Sequence, residues 1–161
     1  VVLAVGRLVA EKNLERLARA ARSVGARLVC VGDGPYRDRL VALGASCPGV
    51  ATWETLPWWH RWAAVYALPS FTEGQPKALL EAMASGLPCA VSSAVTGIVE
   101  AGRTALTFPP ESDERMVSVL YTLLSDRHVA STLGRNAREA ALAYDYRKIL
   151  PQEIAVVEGA R

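Results

Sequence analysis

The sequence predicts a doubly wound α/β fold built on a parallel sheet, and two observations carry that reading. Short apolar runs bounded by glycine or proline alternate with amphipathic stretches of 3.6-residue period, the pattern of strand–helix units with helices on both sheet faces. The polar residues best suited to chemistry, Arg7, Lys12, Asp33, Glu54 and Glu73, each follow one of those apolar runs. That places them together on the sheet edge where such folds bind ligands, outside the carboxyl ends of the strands.

The first strand is Val1 to Val5, apolar throughout as befits a strand covered on both faces, and it ends at Gly6-Arg7. Asn13 is a suitable N-cap for a helix with Leu14, Leu17, Ala18 and Ala21 on one stripe and Glu15, Arg16, Arg19 and Arg22 facing water. Arg27 to Val31 is the second strand. Pro35 then opens a helix with Tyr36, Leu40 and Leu43 on one face and Gly44 as its stop. Val50 to Trp53 reads as a short third strand, Pro57 to Trp62 as a short helix, and Ala64 to Leu68 as the fourth strand. Cys89 to Ser92 and Ala105 to Phe108 follow as the fifth and sixth, the last halted by Pro109-Pro110. Two helices come next, one with Met116, Leu120, Leu123 and Leu124 on a face, the other with Val129, Leu133, Ala137 and Ala140. The remaining stretch, LPQEIAVVEGAR, reads as a final helix with an apolar side at Ile154, Ala155, Val156 and Val157.

The stretch Ser70 to Gly86, SFTEGQPKALLEAMASG, concentrates the chemistry. Pro76 suits a first helical position, and Ser85-Gly86 before Leu87-Pro88 reads as the stop. Ala78, Leu79, Leu80, Ala82, Met83 and Ala84 leave almost no polar face, which predicts a helix buried nearly all round. Glu81 then needs a partner, because desolvating a lone carboxylate is costly. Glu73 lies in the loop ahead, with seven residues between the two acids. The free amides of the first turn and the helix dipole make an anion site between them. A phosphate with hydroxylated groups on either side fits it. Each residue has a plainer reading as well. Glu81 reads as a core acid paired with an arginine, Glu73 as a loop acid favoured by the dipole, and Arg7 and Lys12 as solvated loop charges. Two acids also suggest a retaining glycosidase, whose carboxylates stand about 5 Å apart; no second acid neighbours Glu73 in its loop, which argues against it. VGDGPYR fails as a dinucleotide loop, since the third glycine would fall at Arg37.

Composition narrows the classes. The 161 residues suffice for one domain with a sizeable core. A net charge of +2 without a Lys/Arg run does not suggest nucleic acid. No apolar run is long enough to span a membrane. Cys30, Cys47 and Cys89 are an odd, widely spaced set that reads as small buried hydrophobes in a reducing compartment. His60 and His128 stand far apart without carboxylates at ligand spacing, so both read as structural or surface residues and no metal site is expected. Trp53, Trp58, Trp59 and Trp62 are unusual: consecutive Trp58 and Trp59 cannot both face a core from a short helix. Base stacking, an oligomer contact, and a surface covered by another domain all remain open for the exposed ones.

Three ordered segments resemble retaining glycosyltransferases of the two-domain GT-B fold, the group 1 or family 4 class. Glu73 and Glu81, flanked by LPS, EG and LLEAMASG, resemble the paired glutamates E-x7-E; GRLVAEK (Gly6 to Lys12) resembles GRL-x-x-x-K; and TGIVEAGRTALTF resembles GG-x-P-E…G-x-G-L-L-F, with Thr96, Val99 and Ala105 replacing a usual Gly, Pro and Gly. The likeness runs from Val1 to about Ala143. It implies a single C-terminal, donor-binding domain over residues 1–161, with residues 148–161 packing on an N-terminal acceptor domain absent from this chain. The implied substrate is a UDP- or GDP-sugar, with no separate cofactor or metal. Gly6, Arg7 and Lys12 would hold its diphosphate, Glu73 the sugar hydroxyls, and Glu81 the ribose hydroxyls. Gly74, Gln75, Lys77 and Ala78 would line the phosphates or sugar. Arg7, Lys12 and Glu73 would act in transfer. VGDGP would shape the pocket rim. The implied location is the cytoplasm, with any contact at the inner membrane face made through the missing domain. A non-catalytic nucleotide-sugar-binding subunit and a structural domain with a decayed site are the competing readings.

Overall fold

The computed structural model describes residues 1–142. Its strands are β1 (Val2–Val5), β2 (Leu28–Val31), β3 (Ser46–Gly49), β4 (Val65–Leu68), β5 (Cys89–Ser92) and β6 (Leu106–Phe108). Its helices are α1 (Leu14–Ser23), α2 (Arg37–Ala42), α3 (Leu56–Trp62), α4 (Lys77–Ala84), α5 (Asp113–Ser125) and α6 (Arg127–Ala141), with a 3-10 turn at Ala10–Lys12. The expected tail helix over 148–161 lies outside the described residues.

The strands form one sheet in the order β3-β2-β1-β4-β5-β6, every neighbour parallel. The doubly wound prediction is therefore met. Strands are added outward from β1 to β3, and the chain then returns to place β4 on the other side of β1. Loops leaving β1 and β4 diverge there, opening the crevice where such sheets bind ligands. The alternating residues of each strand feed two cores. Val2, Ala4, Leu28, Cys30, Val65 and Ala67 pack with Leu14, Leu17, Leu40, Met116 and Leu120 from α1, α2 and α5. Leu3, Val29, Val31, Tyr66, Leu68, Cys89 and Val91 pack with Leu79, Ala82, Met83 and Ala137 from α4 and α6, with Trp59 of α3 against them. All three cysteines are buried and free; burial raises the Cys89 thiol to about 12.

The third strand differs from expectation. It runs SCPG at Ser46–Gly49, not Val50–Trp53, and both Val50 and Trp53 are exposed. Pro48 and Gly49 disguise it, yet β3 is an edge strand, where a missing N–H is tolerated. Glycine at φ 98° then turns the chain out of the sheet.

Two buried polar atoms, His60 Nε2 and the Tyr66 hydroxyl, have no partner among the described residues, and their rings meet edge-on with centroids 6.3 Å apart. Burial lowers the His60 pKa from its ordinary value. The neutral ring is thus favoured in the folded state, while the unfolded chain takes up a proton first as pH falls. Stability should hold above about pH 6.5 and decline below it, by at most about 1.4 kcal/mol per pH unit for this one group. Denaturant melts of the native chain and His60→Phe between neutral and mildly acidic pH check this; the variant should lack that part of the slope.

Candidate functional site

The loops after β1 and β4 meet across the crevice, and one ion pair joins them. Lys12 Nζ donates to Glu73 Oε1 at 2.5 Å, with side chains 22% and 9% exposed. Ser70, fully buried, donates its hydroxyl to the same oxygen at 2.5 Å. Both contacts fall on Oε1, so Oε2 is free among the described residues. A charge-assisted bond to a largely buried carboxylate is stronger than a surface pair, so Glu73 is held in one orientation.

The β1 loop is shaped from two directions. Gly32 and Gly34, after β2, lie so close to it that a Cβ on Gly34 would sit 2.5 Å from the Leu8 carbonyl oxygen, and one on Gly32 would overlap the Gly6 carbonyl. The Tyr36 amide donates to that same Leu8 oxygen at 3.0 Å. The VGDGP stretch thus props the segment that carries Arg7. Arg7 itself is exposed, and its guanidinium has no hydrogen bond or ion pair among the described residues.

Asn13 does more than start a helix. It sits at the N-cap of α1 but in the left-handed region, φ 54°, and its side chain caps no amide. Its buried Nδ2 instead donates to Pro69 O at 3.1 Å and Pro110 O at 2.8 Å. Residue 13 therefore ties the β1 loop to the β4 loop just before Ser70, and to the turn after β6. A second link, Phe71 N–H to Glu11 O at 3.0 Å, reinforces the first. The sequence alone suggests only an N-cap role for Asn13 and none for Ser70. A short polar side chain next to a glutamate loop was the only signal available.

Helix α4 is not buried all round, and Glu81 is not buried; both expectations fail. Lys77, Glu81, Ala84 and Ser85 line an exposed stripe, opposite the buried Leu79, Ala82 and Met83. Alanine occupies helix surfaces as readily as cores, so Ala84 gave no warning. Partial burial of the carboxyl still raises the Glu81 pKa, against a lowering pull from Lys77. Pro76 stands at the N-cap, one position before the helix. Lys77 N–H turns back to Gln75 O at 2.9 Å, so it is not free as supposed, whereas the Gln75 and Ala78 amides make no hydrogen bond among the described residues. Gly74 and Gln75 are exposed at the rim and Ala78 is half-buried. Both glutamates bear on the buried Tyr66 hydroxyl, whose pKa rises through burial first, then Cys89, Glu73 and Glu81.

Two spaces open at this edge. One, lined by Gly6, Arg7, Leu8, Lys12, Pro69 and Ser70 among others, is about 10 Å³, room for one water molecule at most. The second, of about 310 Å³, lies beside it between Gly6, Arg7, Gly32, Asp33, Val50, Ala51 and Leu56, within the range of small-ligand pockets. None of the four tryptophans lines either space. Among the described residues no group of three His, Cys, Asp or Glu is placed to hold a metal ion, and no helix is long and apolar enough to cross a membrane.

The profile of the family described as glycosyl transferases group 1 matches residues 1–126. The sulfoquinovosyl transferase of Arabidopsis thaliana is 35% identical over 156 residues, covering 91% of this chain and 31% of that protein. A sucrose-phosphate synthase from Thermosynechococcus elongatus superposes with a TM-score of 0.89 at 27% identity, covering 99% of this chain and 45% of the other. HepE of Anabaena, solved with UDP and glucose, superposes with a TM-score of 0.88 at 20% identity over 99% of this chain and 48% of its own. The chain thus spans less than half the length of each.

Asn13 should be resolvable by two substitutions. Asn13→Gly keeps the left-handed backbone and loses two hydrogen bonds, for about 1–3 kcal/mol of stability. Asn13→Ala loses them too and adds the strain of a Cβ at positive φ, about 1 kcal/mol more. Chemical denaturation of the three chains measures both differences.

Proposed function

This chain belongs to the group 1 glycosyl transferases, and from that membership we propose that it is the donor-binding domain of a retaining, metal-independent enzyme that transfers a hexose-type sugar from a nucleotide-diphosphate sugar. One observation supports this above the others. The Lys12–Glu73–Ser70 cluster and the unpaired Arg7 stand together at the crevice between β1 and β4, beside the start of α4.

In this reading Arg7 and Lys12 face the diphosphate, with Gly6 leaving room for it. As the bond from the anomeric carbon to the diphosphate oxygen breaks, the departing oxygen keeps the electron pair. The two cations and the Gln75 and Ala78 amides are suited to that growing charge; losing one such donor typically costs about 3–4 kcal/mol of barrier. Positive charge from the chain itself is what makes a metal dispensable here. Lys12 pairs with Glu73 before the donor arrives, and a diphosphate would give it a second anion to neutralise. Glu73 keeps Oε2 for a sugar hydroxyl while Oε1 is anchored. Glu81, on the open stripe of α4, is accessible to two ribose hydroxyls. Gly74 and Lys77 complete the rim. The base would occupy the space between Arg7, Asp33 and Leu56. The acceptor oxygen attacks from the face the diphosphate leaves, so configuration is kept without a covalent intermediate on the chain. Acceptor binding falls to a second domain beyond these residues, so this chain alone should bind nucleotide and transfer nothing.

Calorimetric and thermal-shift titrations with UDP, GDP, ADP and CDP, without added metal, test this. One nucleotide should bind and, at 100 times its dissociation constant, stabilise the fold by roughly 2.7 kcal/mol. Glu81→Ala, an exposed change, should leave folding intact and lose most of that effect, and Arg7→Ala should weaken it. Because burial raises the Glu81 pKa, affinity should fall with acidification starting above the usual carboxylate range. Failure of all four nucleotides at millimolar concentration, or sugar transfer by the chain alone, would overturn the reading.

A further inference from the structure

The outer face of α3 plays no part in the crevice and is built in an unusual way. Trp58 and Trp62, one turn apart, are 51% and 41% exposed. Their rings stack with centroids 5.6 Å apart and planes 11° off parallel. Trp59 meets both edge-on, at 4.8 and 5.8 Å, while itself packing against the core. His60, fully buried, faces the opposite way. Two large rings are therefore held rigid and pointed outward by a third.

Arginines stand near the pair. The Arg27 guanidinium lies 5.7 Å from the Trp62 ring centre. Arg61 is exposed on the same helix, and Arg22 shares with Arg27 the lining of a cavity of about 400 Å³. None of the three is in an ion pair among the described residues, and the stretches Arg22–Arg27 and Leu56–Trp62 contain no acid. Trp53, next to Glu54 and ahead of the helix, has no ring contact with these three.

We propose that this face of α3 seats the chain on an anionic lipid surface, with Trp58 and Trp62 as interfacial anchors and Arg22, Arg27 and Arg61 pairing with headgroups. The area argues for a lipid surface over a protein partner. Half-exposed, the two rings offer roughly 200 Å², whereas a stable protein interface buries about 800 Å² on each side. Membrane attachment needs only a few amphipathic rings at headgroup depth together with basic side chains near an anionic surface. The charge argues against a second copy. A two-fold contact would set each copy's arginines against the other's, with no acid in either stretch to pair them. Tryptophan beside unpaired arginine suits a layer that is apolar at ring depth and negative above it. Arg7, Lys12 and Glu73 are not among the residues of this face, so the inference is independent of the donor-site reading.

Co-sedimentation of the chain with phosphatidylcholine vesicles, with and without phosphatidylglycerol, tests it. The native chain should bind the anionic vesicles, with tryptophan emission shifted to the blue and binding weakened by added salt. Trp58→Ser/Trp62→Ser and Arg27→Glu/Arg61→Glu should each lower the partition coefficient at least tenfold. The arginine changes are at exposed positions and replace no buried side chain, so the test does not hinge on how well the tryptophan variant folds. Absence of binding to anionic vesicles, binding indifferent to both double variants, or a dimer in solution that the tryptophan variant abolishes would each overturn the proposal.

Discussion

The Lys12–Glu73 ion pair spans the topological break of the sheet. Lys12 ends the loop from β1 and Glu73 begins the approach to α4, so two elements separated by 61 positions are fixed to one another at 2.5 Å. Everything around that bond serves to hold its ends. The Ser70 hydroxyl orients the acid, Asn13 ties the two loops a few residues back, and the glycines after β2 press the Arg7 segment into place. An ion pair this enclosed offsets its desolvation only when geometry is good and remaining polar atoms are met. The buried Ser70 and Asn13 supply that geometry, so the site is organised before any ligand reaches it.

Much of this was legible in the sequence. Alternating apolar runs and amphipathic stretches led to the parallel sheet, and five of the six strands fall within a residue of where the runs lie. The strand that was misplaced shows the limit. Val50 to Trp53 has the composition of a strand, yet β3 is the SCPG before it, because an edge position tolerates a proline that a central one would reject. Glu81 shows a different limit. Periodicity counts alanine as core, and an alanine-rich helix then appears buried even where one stripe faces solvent. Asn13 could not be found by pattern, since its partners lie in loops 56 and 97 positions away and only the folded chain brings them together; Ser70, three positions from Glu73, left no more trace than a short polar side chain beside an acid.

The tryptophans make the same point about composition and placement. Four of them within ten positions left stacking on a base, contact with another protein and shelter under a domain equally open. The structure separates them. Trp59 goes inward against the core, Trp58 and Trp62 stack outward, and Trp53 stands alone at 82% exposure before the helix. None lines the crevice, so stacking on a base there loses its support.

The misread third strand has one more consequence. A parallel sheet has two outer margins, and each is a row of unpaired amides and carbonyls that another chain can extend. Here one margin is β3, where Pro48 has no amide to offer and Gly49 bends the chain away. The other is β6, only three residues long. Neither presents a template long enough to recruit a strand from a neighbouring molecule. The residues that made β3 hard to recognise are thus the ones that keep this sheet from growing into its neighbours, so that the domain can be crowded among copies of itself without its edges joining.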